Sequence, residues 1–372
     1  MATLQAAQNS NCSDLLPYSS LKVNEDSNET SHCHLNLHYS SESLVTDVRP
    51  SVSLAVGEMF NPDPLCSLQY SEVLKLARKF NKFYLTGAYK NCLPFVIEGR
   101  QIGLILQNVL EAMKNHRDVF VIEREYVSIC GSLNSYVVRS NALAKVLESW
   151  RKQEEFVTLK GWRNECFEIR GGFSEKSFLE MERSATCLFG VRQFGVDING
   201  YVKHPELGVS IWLQRRSKTK PTWPGKLDNM VGGGLTAGSA PLITAIAEAA
   251  EEASIPPELI KHLKPAGTVS FLFESERGIF PNIEFVYDLE LPSTFVPTNA
   301  DGEVESFELV PIRELLAKVL SADFKTTSCP VVLDFLVRHG YINSENEPNL
   351  PELLELLHMP LHMMYNFVPS LA

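Results

Sequence analysis

Hydrophobic residues first recur with a regular period at about residue 65. Between residues 71 and 84 they are spaced at helical intervals, with Lys and Arg between them, which predicts an amphipathic helix. The apolar run at residues 92–105 predicts a strand, a turn at Glu98-Gly99 and a second apolar segment. Helices are also predicted at residues 109–115 and 140–153, a short strand at residues 119–122, and a strand and turn at residues 162–173. These elements predict a small α+β domain over residues 65–183.

A second set of elements begins at residue 184. Alternating apolar and polar residues predict a hairpin with strands at residues 195–202 and 209–214. One helix is predicted at Pro241–Ala253, where Pro256-Pro257 ends it, and another at Ile312–Leu320. Further strands are predicted at residues 269–273, 283–289 and 303–309. We therefore predict a second domain over residues 184–345. A C-terminal helical extension over residues 346–372 follows, and we expect its helix at residues 350–361 to pack back onto the body.

The first 60 residues differ in character from the rest of the chain. They are rich in Ser and Asn and show no sustained period, which predicts a disordered tail. His32, Cys33, His34 and His38 cluster there; they could bind a metal ion, but such a cluster in a polar tail is usually a product of composition. The tail lacks the Arg-rich, acid-poor character of a transit peptide and the apolar run of a secretory signal. We therefore expect a cytoplasmic protein.

Composition narrows the classes of function. The 372 residues are 44% hydrophobic, which suffices for two cores. The formal net charge of −11 disfavours non-specific binding to nucleic acids and to anionic membranes. No apolar run of about 18 residues is present, so no membrane span is expected. The eight cysteines include no CxxC pair, which is typical of free thiols in a reducing compartment.

The helix predicted at Pro241–Ala253 carries the candidate chemistry. Ser239 is a suitable N-cap, and Pro241 suits the first turn. At 100° per residue, one face of the helix is apolar and is expected to be buried; it consists of Leu242, Ile246, Ala250 and Ala253. The opposite face carries Glu248, Glu251 and Glu252.

These three carboxylates occupy an unfavourable position for a helix that is merely soluble. Like charges three and four residues apart repel by roughly 0.2–0.5 kcal/mol per pair, and the helix C-terminus disfavours anions. A divalent cation such as Mg²⁺ removes the conflict, because it takes oxygen ligands from carboxylates and substrate phosphates together. The glycines at residues 232–234, just upstream, let backbone approach a ligand closely. A solvated acidic face is the alternative, but the ordered combination favours phosphate chemistry.

This segment resembles the Nudix box, G-x5-E-x7-R-E-U-x-E-E-x-G-U, in which U is a bulky apolar residue. Gly233 matches the first glycine, Glu248 the glutamate of R-E, and Glu251 and Glu252 the E-E pair. Ile255 matches the last apolar position, whereas Ser239, Ala247 and Ser254 depart from the pattern. The resemblance implies that the three glutamates are catalytic and bind Mg²⁺ or Mn²⁺, with one of them helping to deprotonate the attacking water. It also implies that the arginine replaced by Ala247 helps to orient the glutamates in other family members.

The resemblance extends over about residues 66–345. The segments WPGKLDN, DGEVESFELV and ERSATCLFGVRQFGVDINGYV are similar to a two-domain branch, related to the Nudix domain fused to thiamine pyrophosphokinase in fungi and to certain plant Nudix hydrolases. The branch implies an α/β fold, a Nudix α/β/α sandwich with a mixed sheet, preceded by an N-terminal domain of unassigned function. It further implies hydrolysis of a small-molecule diphosphate, such as thiamine diphosphate, its oxidised analogues or 8-oxo-dGDP, to a monophosphate.

Other residues are candidates for binding the substrate or a metal ion. Gly233 and Gly234 are expected to approach the diphosphate, and a basic loop could hold it through Arg215, Arg216, Lys218, Lys220 and Lys226; the alternative is a solvated hairpin loop. Glu303 or Glu305 could complete the metal shell. Phe271, Phe273, Phe285, Trp162 and Trp223 could stack on a substrate ring, although aromatic residues at strand spacing are more often core.

Two other functions are compatible with the same fold. An enzyme of the isopentenyl diphosphate isomerase type would need a cysteine acid opposite a glutamate, and Cys187 is the nearest candidate. A catalytically weakened binding protein is suggested by Ser239 and Ala247. Release of phosphate from a diphosphate separates the hydrolase from both alternatives.

Overall fold

The computed structural model describes residues 64–206 and 208–367. The predicted tail at residues 1–60, with His32, Cys33, His34 and His38, lies outside the described residues. The first half of the described chain forms the helices and strands α1 (Pro64–Phe80), α2 (Lys82–Leu85), β1 (Leu93–Ile97), β2 (Arg100–Ile105), α3 (Gln107–Met113), β3 (Phe120–Ile122), β4 (Val127–Ile129), α4 (Tyr136–Lys152), β5 (Cys166–Ile169) and β6 (Leu179–Glu182). Short 3₁₀ helices lie at Val157–Gly161 and Arg183–Leu188.

A four-stranded sheet in the order β2-β1-β4-β3 organises this half of the chain. Its core is aromatic: Phe95, Phe120, Trp150 and Phe189 are each at most 2% exposed, and their ring centroids lie 5.3–6.5 Å apart. The core continues through Phe189 to Val191, beyond the 3₁₀ helix at Arg183–Leu188. Strands β5 and β6 form a separate antiparallel pair whose far end leads into that 3₁₀ helix.

The second half is built around a seven-stranded mixed sheet. Its elements are β7 (Gln193–His204), β8 (Gly208–Arg216), β9 (Leu227–Asn229), β10 (Val231–Gly234), α5 (Pro241–Ala253), α6 (Pro257–Ile260), β11 (Lys264–Ser275), β12 (Gly278–Glu290), β13 (Val304–Pro311), α7 (Ile312–Leu320), α8 (Cys329–Arg338), α9 (Leu350–Leu357) and α10 (Leu361–Met364). The strand order is β11-β12-β7-β8-β13, with β10 paired to β7 and β9 paired to β8. Only β7 and β12 run parallel among these seven strands.

Successive residues of β8 show that the sheet is covered on both faces. Ile211 and Leu213 belong to the hydrophobic core formed with α1, α7, α8 and α9, whereas Trp212 belongs to the core formed with α5. Because side chains alternate between the two faces of a strand, these two cores lie on opposite sides of the sheet. The predicted α/β/α sandwich with a mixed sheet is therefore confirmed.

The periodic amphipathic elements are where the sequence predicts them. The bounds of α5 and α7 agree with the prediction, and α9 packs on α1 and β11 as expected for the C-terminal helix. Helix α8 escapes the prediction because every residue from Cys329 to Leu336 is buried, so its sequence has no polar face to reveal a period. None of the described helices combines the length and the apolar character that a bilayer crossing requires.

Candidate active site

A cavity of about 910 Å³ opens at the start of β7, beside β10, β12 and α5. Its wall includes the backbone of the glycine-rich strand at residues 232–234 and the carboxylates of Glu248 and Glu251. The preceding half of the chain also lines it, through Gly161, Arg163, Glu165, Phe167, Arg183 and Ser184. The sequence-predicted glycines and two of the three predicted glutamates therefore meet in one pocket.

The orientation of α5 differs from the prediction. Leu242 and Ile246, expected to be buried, are 49% and 39% exposed, and Ala250 is exposed as well; of that predicted face, only Ala253 is buried. The buried face instead carries Thr244, Ala245, Ala249, Glu252 and Ala253. The prediction failed because it took the largest apolar residues as the buried ones. The neighbouring strand β10 is mostly glycine, so small residues and a carboxylate fit against it.

The N-terminus of α5 is another correction. Ala240 occupies the N-cap position, and no side chain caps the helix. The hydroxyl oxygen of Ser239, the predicted cap, instead lies 2.7 Å from the hydroxyl oxygen of Thr244. Ala247 is exposed and occupies the position of the box arginine, so this turn of α5 carries no cation.

Glu248 lies directly over Gly233, where an added Cβ atom would overlap the glutamate side chain. Burial and the neighbouring charge of Glu252 raise the pKa of Glu248 to about 7. Glu252 is 1% exposed, and burial raises its pKa too. Its Oε2 atom accepts hydrogen bonds from the backbone N–H of Gly232 (2.9 Å) and from Gln214 (3.1 Å), which fixes α5 against β10. Glu251 is exposed at the pocket wall.

The glutamates of α5 fit a divalent ion that the substrate helps to hold. Among the described residues, no three His, Cys, Asp or Glu side chains form a preformed metal cage. Mg²⁺ seldom needs one, because it keeps several waters and usually binds one or two carboxylates together with substrate phosphates. Glu248 and Glu251 offer such oxygens to the pocket, and Oε1 of Glu252 accepts no hydrogen bond within residues 64–206 and 208–367.

The basic loop contributes fewer pocket residues than expected. Arg216 and Lys220 line the cavity. Arg215 does not, because its guanidinium group is paired with Asp323 at 2.8 Å. Lys226 also lies outside the lining and donates to the backbone carbonyl of Ala322 at 2.8 Å. The predicted substrate contacts of Arg215 and Lys226 are therefore not supported, whereas that of Arg216 remains a prediction.

Of the two acidic candidates late in the chain, Glu303 lines the pocket and Glu305 does not. Glu303 lines the pocket and forms an ion pair with Lys220, whose pKa burial lowers to about 8. Glu305 pairs with Lys218 at 3.4 Å and does not line the cavity. Glu303 precedes β13, and the register of this strand shifts between Val304 and Ser306, so Glu303 and Glu305 do not follow the regular alternation of a strand.

Sequence reasoning missed a second group of carboxylates in the pocket. Asp197 on β7 and Glu284 on β12 both line it, and burial raises the pKa of each. Asp197 accepts a hydrogen bond from Asn229 at 2.9 Å. The available signal was an acidic residue inside each of two strands that are otherwise mainly apolar.

It also missed the cations that come from outside the predicted loop. Arg163, Arg183, Arg277 and Lys325 all line the pocket. The positive charge of Arg183 partly offsets the effect of burial on the pKa of Glu248. Arg183, from the preceding half of the chain, thus acts on Glu248, whose neighbour at the box arginine position is Ala247.

The aromatic candidates also divide between pocket and core. Trp223, Phe273 and Phe280 line the cavity in a row, with successive ring centroids 6.3 and 6.2 Å apart. Phe271 is fully buried in the core, and Phe285 packs against Phe173. Trp162 lies outside the cavity lining.

Cys187, the acid that an isomerase would require, is also absent from the lining. It is 1% exposed, and its thiol lies 3.2 Å from the carbonyl oxygen of Arg277. Burial raises the pKa of this thiol. Among the residues that the structure describes, no cysteine lines the pocket to serve as the acid of an isomerase.

Gly234 is expected to be intolerant of a side chain. An added Cβ atom would lie 2.5 Å from Cζ of Phe167 and 3.1 Å from Cζ of Arg183. Gly234→Ala should therefore lower the free energy of unfolding by about 1–3 kcal/mol, measured in urea. Gly131→Ala is the control, because nothing lies within 4 Å of its Cβ position; we expect a change within about 0.5 kcal/mol. Equal losses for the two variants would contradict the close packing at Gly234.

Comparisons with known proteins identify a family for each half of the chain. A family model described as NUDIX domain matches residues 199–328, and one described as a domain of unknown function (DUF4743) matches residues 72–193. Nudix hydrolase 20, chloroplastic, of Arabidopsis thaliana is 31% identical over 304 residues, which cover 75% of this chain and 80% of that protein. Nudix hydrolase 24, chloroplastic, of the same plant is 34% identical over 257 residues, covering 68% of this chain and 69% of that protein.

A third relative, described as uncharacterized protein YJR142W of Saccharomyces cerevisiae, is 31% identical over 298 residues and matches 75% of this chain and 86% of its own. All three matches are longer than the Nudix domain alone, so the two-domain arrangement is shared with these relatives. With its Nudix domain, its two Nudix hydrolase relatives and the glutamates of α5 at the pocket, this chain belongs to the Nudix hydrolase family and is a pyrophosphohydrolase.

Proposed function

We propose that this enzyme hydrolyses the diphosphate bond of a small organic diphosphate, giving a monophosphate and phosphate, with Mg²⁺ or Mn²⁺ held by Glu248, Glu251 and Glu252. The observation that carries the proposal is a pocket with two kinds of charge. The carboxylates of α5 line it together with the cations Arg183, Arg216 and Lys220. Such a pair of surfaces suits a phosphate group that is bound by a metal ion and by cationic side chains at once.

The residues of the pocket have separable tasks in this reaction. The bound metal ion would neutralise the phosphate oxygens and lower the pKa of the attacking water. Glu248, with a pKa of about 7, is suited to accept a proton from that water near neutral pH. Glu252 holds Gly232 and so keeps α5 at a fixed distance from β10. Lys220 and Arg183 add positive charge where the phosphate oxygens gain negative charge.

The organic group is proposed to be an aromatic ring system. The row formed by Trp223, Phe273 and Phe280 presents aromatic surface inside a cavity that is also lined by many charged side chains. Thiamine diphosphate, its oxidised analogues and 8-oxo-dGDP all combine a diphosphate with rings that such a row can contact. These compounds form the substrate panel that the pocket supports best.

The test is release of phosphate from that panel, in the presence of Mg²⁺ or Mn²⁺. We expect a monophosphate and orthophosphate from at least one aromatic diphosphate. Phe273→Leu, which keeps the hydrophobic volume, should raise KM for that substrate about tenfold through lost stacking. Hydrolysis of inorganic diphosphate, which has no ring, is the control and should change little. A product isomerised without phosphate release, or no turnover of any member, would refute the proposal.

A further inference from the structure

The pocket of the Nudix domain is completed by the domain that precedes it. Arg163 and Arg183 lie within the residues 72–193 that match the domain of unknown function, yet both line the same cavity as Glu248 and Glu251. No activity is attached to that domain. Its two arginines nevertheless supply positive charge to a protein whose net charge is −11.

Arg183 is held firmly in this position. Its guanidinium group pairs with Glu165 at 3.1 Å and lies over the ring of Phe167, 5.2 Å from the ring centroid. Both Phe167 and Arg183 reach their places because Gly234 has no side chain. The position of Arg183 at the pocket wall therefore depends on a contact between the two domains.

Within the described residues, Arg163 and Arg277 are the arginines of the pocket without an ion-pair partner, and Arg277 lies over the ring of Phe280, 5.2 Å from its centroid. Arg183 is compensated by Glu165, and Arg216 by Asp228 at 2.8 Å. No salt bridge within the described part of the chain involves Arg163. Its backbone is nevertheless fixed, because its N–H donates to Glu182 at 3.1 Å. Burial, and then the charge of Arg183, lower the pKa of Arg163 to about 10, so the cation is held at a cost that a bound anion would remove.

Arg163 lines the same cavity as Glu248 and Glu251, together with the cations Arg183 and Lys220. Lys220 acts electrostatically on both Glu252 and Arg163, and Arg183 acts on both Glu248 and Arg163. A ligand that fills this cavity can therefore meet the carboxylates of α5 and Arg163 at once.

We propose that Arg163 and Arg183 of the preceding domain bind the terminal phosphate of the substrate, and that they select diphosphates whose terminal phosphate is free. The inference rests on the proposed function, since it concerns the same pocket. A free terminal phosphate carries an extra negative charge and three non-bridging oxygens, which match the paired donors of guanidinium groups. A diphosphate esterified at both ends lacks that charge and one of those oxygens.

Binding of two non-hydrolysable probes tests this assignment without requiring turnover. Methylenediphosphonate has free ends, whereas its P,P′-dimethyl ester is blocked at both ends. Isothermal titration of the full chain with each probe, at fixed Mg²⁺, should show Arg163→Gln weakening the free-ended probe at least about tenfold. The blocked probe should lose less than about threefold, and Arg163→Lys, which keeps charge but not the fork, should recover part of the affinity.

Lys160→Gln is the matched control, because Lys160 is an exposed cation of the same domain that does not line the cavity. It should change neither affinity, and circular dichroism of each variant verifies folding. Equal weakening of both probes by Arg163→Gln, an effect no larger than that of Lys160→Gln, or no binding of methylenediphosphonate to the wild type would overturn the inference. Binding with the expected pattern but no hydrolysis of any diphosphate would instead refute only the proposed reaction.

Discussion

Glu252→Gln is expected to lower turnover by at least about 100-fold, because it removes a negative charge from the proposed metal site. The substitution is well suited to the question. Both structural hydrogen bonds of Glu252 are accepted by Oε2, from Gly232 and Gln214, and a glutamine oxygen can accept both in the same place. The fold should therefore persist while the charge is lost. Steady-state phosphate release with Mg²⁺ measures the effect, and Glu251→Gln is expected to behave in the same way.

The matched control for this experiment is Glu258→Gln, which removes an exposed carboxylate on α6 beyond the end of the catalytic helix. It should leave turnover within about twofold, because a surface charge outside the pocket has little effect on the reaction. Near wild-type activity in purified, folded Glu252→Gln would exclude this glutamate from the metal site. A loss of folding in Glu252→Gln would show up in thermal unfolding and would be followed by testing Glu251→Gln alone.

Activity is expected to fall about tenfold for each pH unit below about 7, because protonation of Glu248 removes a metal ligand and a proton acceptor. The relevant measurement is kcat/KM against pH at fixed, subsaturating Mg²⁺. Raising the Mg²⁺ concentration should shift the midpoint to lower pH, since the ion competes with the proton for the same carboxylate. A profile that stays flat between pH 5 and pH 8 would contradict the role of Glu248.

The same pKa predicts an opposite trend for the stability of the metal-free protein. A carboxyl group whose pKa rises from 4.5 to about 7 on folding contributes stability below pH 4.5, and that contribution is lost as pH increases through about 7. The loss amounts to at most about 3 kcal/mol. Glu248→Gln should remove this dependence, so the metal-free variant should be more stable than the wild type at pH 8. Thermal unfolding in a chelating buffer measures the difference.

The local pattern of apolar and polar residues was sufficient to predict most helices and strands of the fold. Helices α5 and α7 are amphipathic or sharply bounded by proline, and their limits follow from the chain itself. The buried face of α5 was not predictable in the same way. Leu242 and Ile246 are larger and more apolar than Ala245 and Ala249, yet the two alanines are the buried residues. What decides the orientation is the glycine strand β10, and its pairing with β7 is a tertiary contact.

The centre of the pocket was the most predictable part, because its residues lie together in the chain. Gly233, Glu248 and Glu251 belong to one short motif, and the structure brings them to one cavity. Arg163 and Arg183 lie far upstream of α5, so no spacing in the sequence relates them to that helix. Arg215 shows the converse: it is adjacent to Arg216 in the chain, but it forms an ion pair with Asp323 outside the pocket.

The contact of Gly234 with Phe167 and Arg183 also constrains how such proteins evolve. A gene segment that encodes only residues 199–328 would carry the glutamates of α5 but lose one wall of the cavity. A lineage that acquired any larger residue at position 234 would push the upstream wall away. Selection on catalysis therefore acts on both halves jointly, and domain shuffling that separates them is expected to be counter-selected.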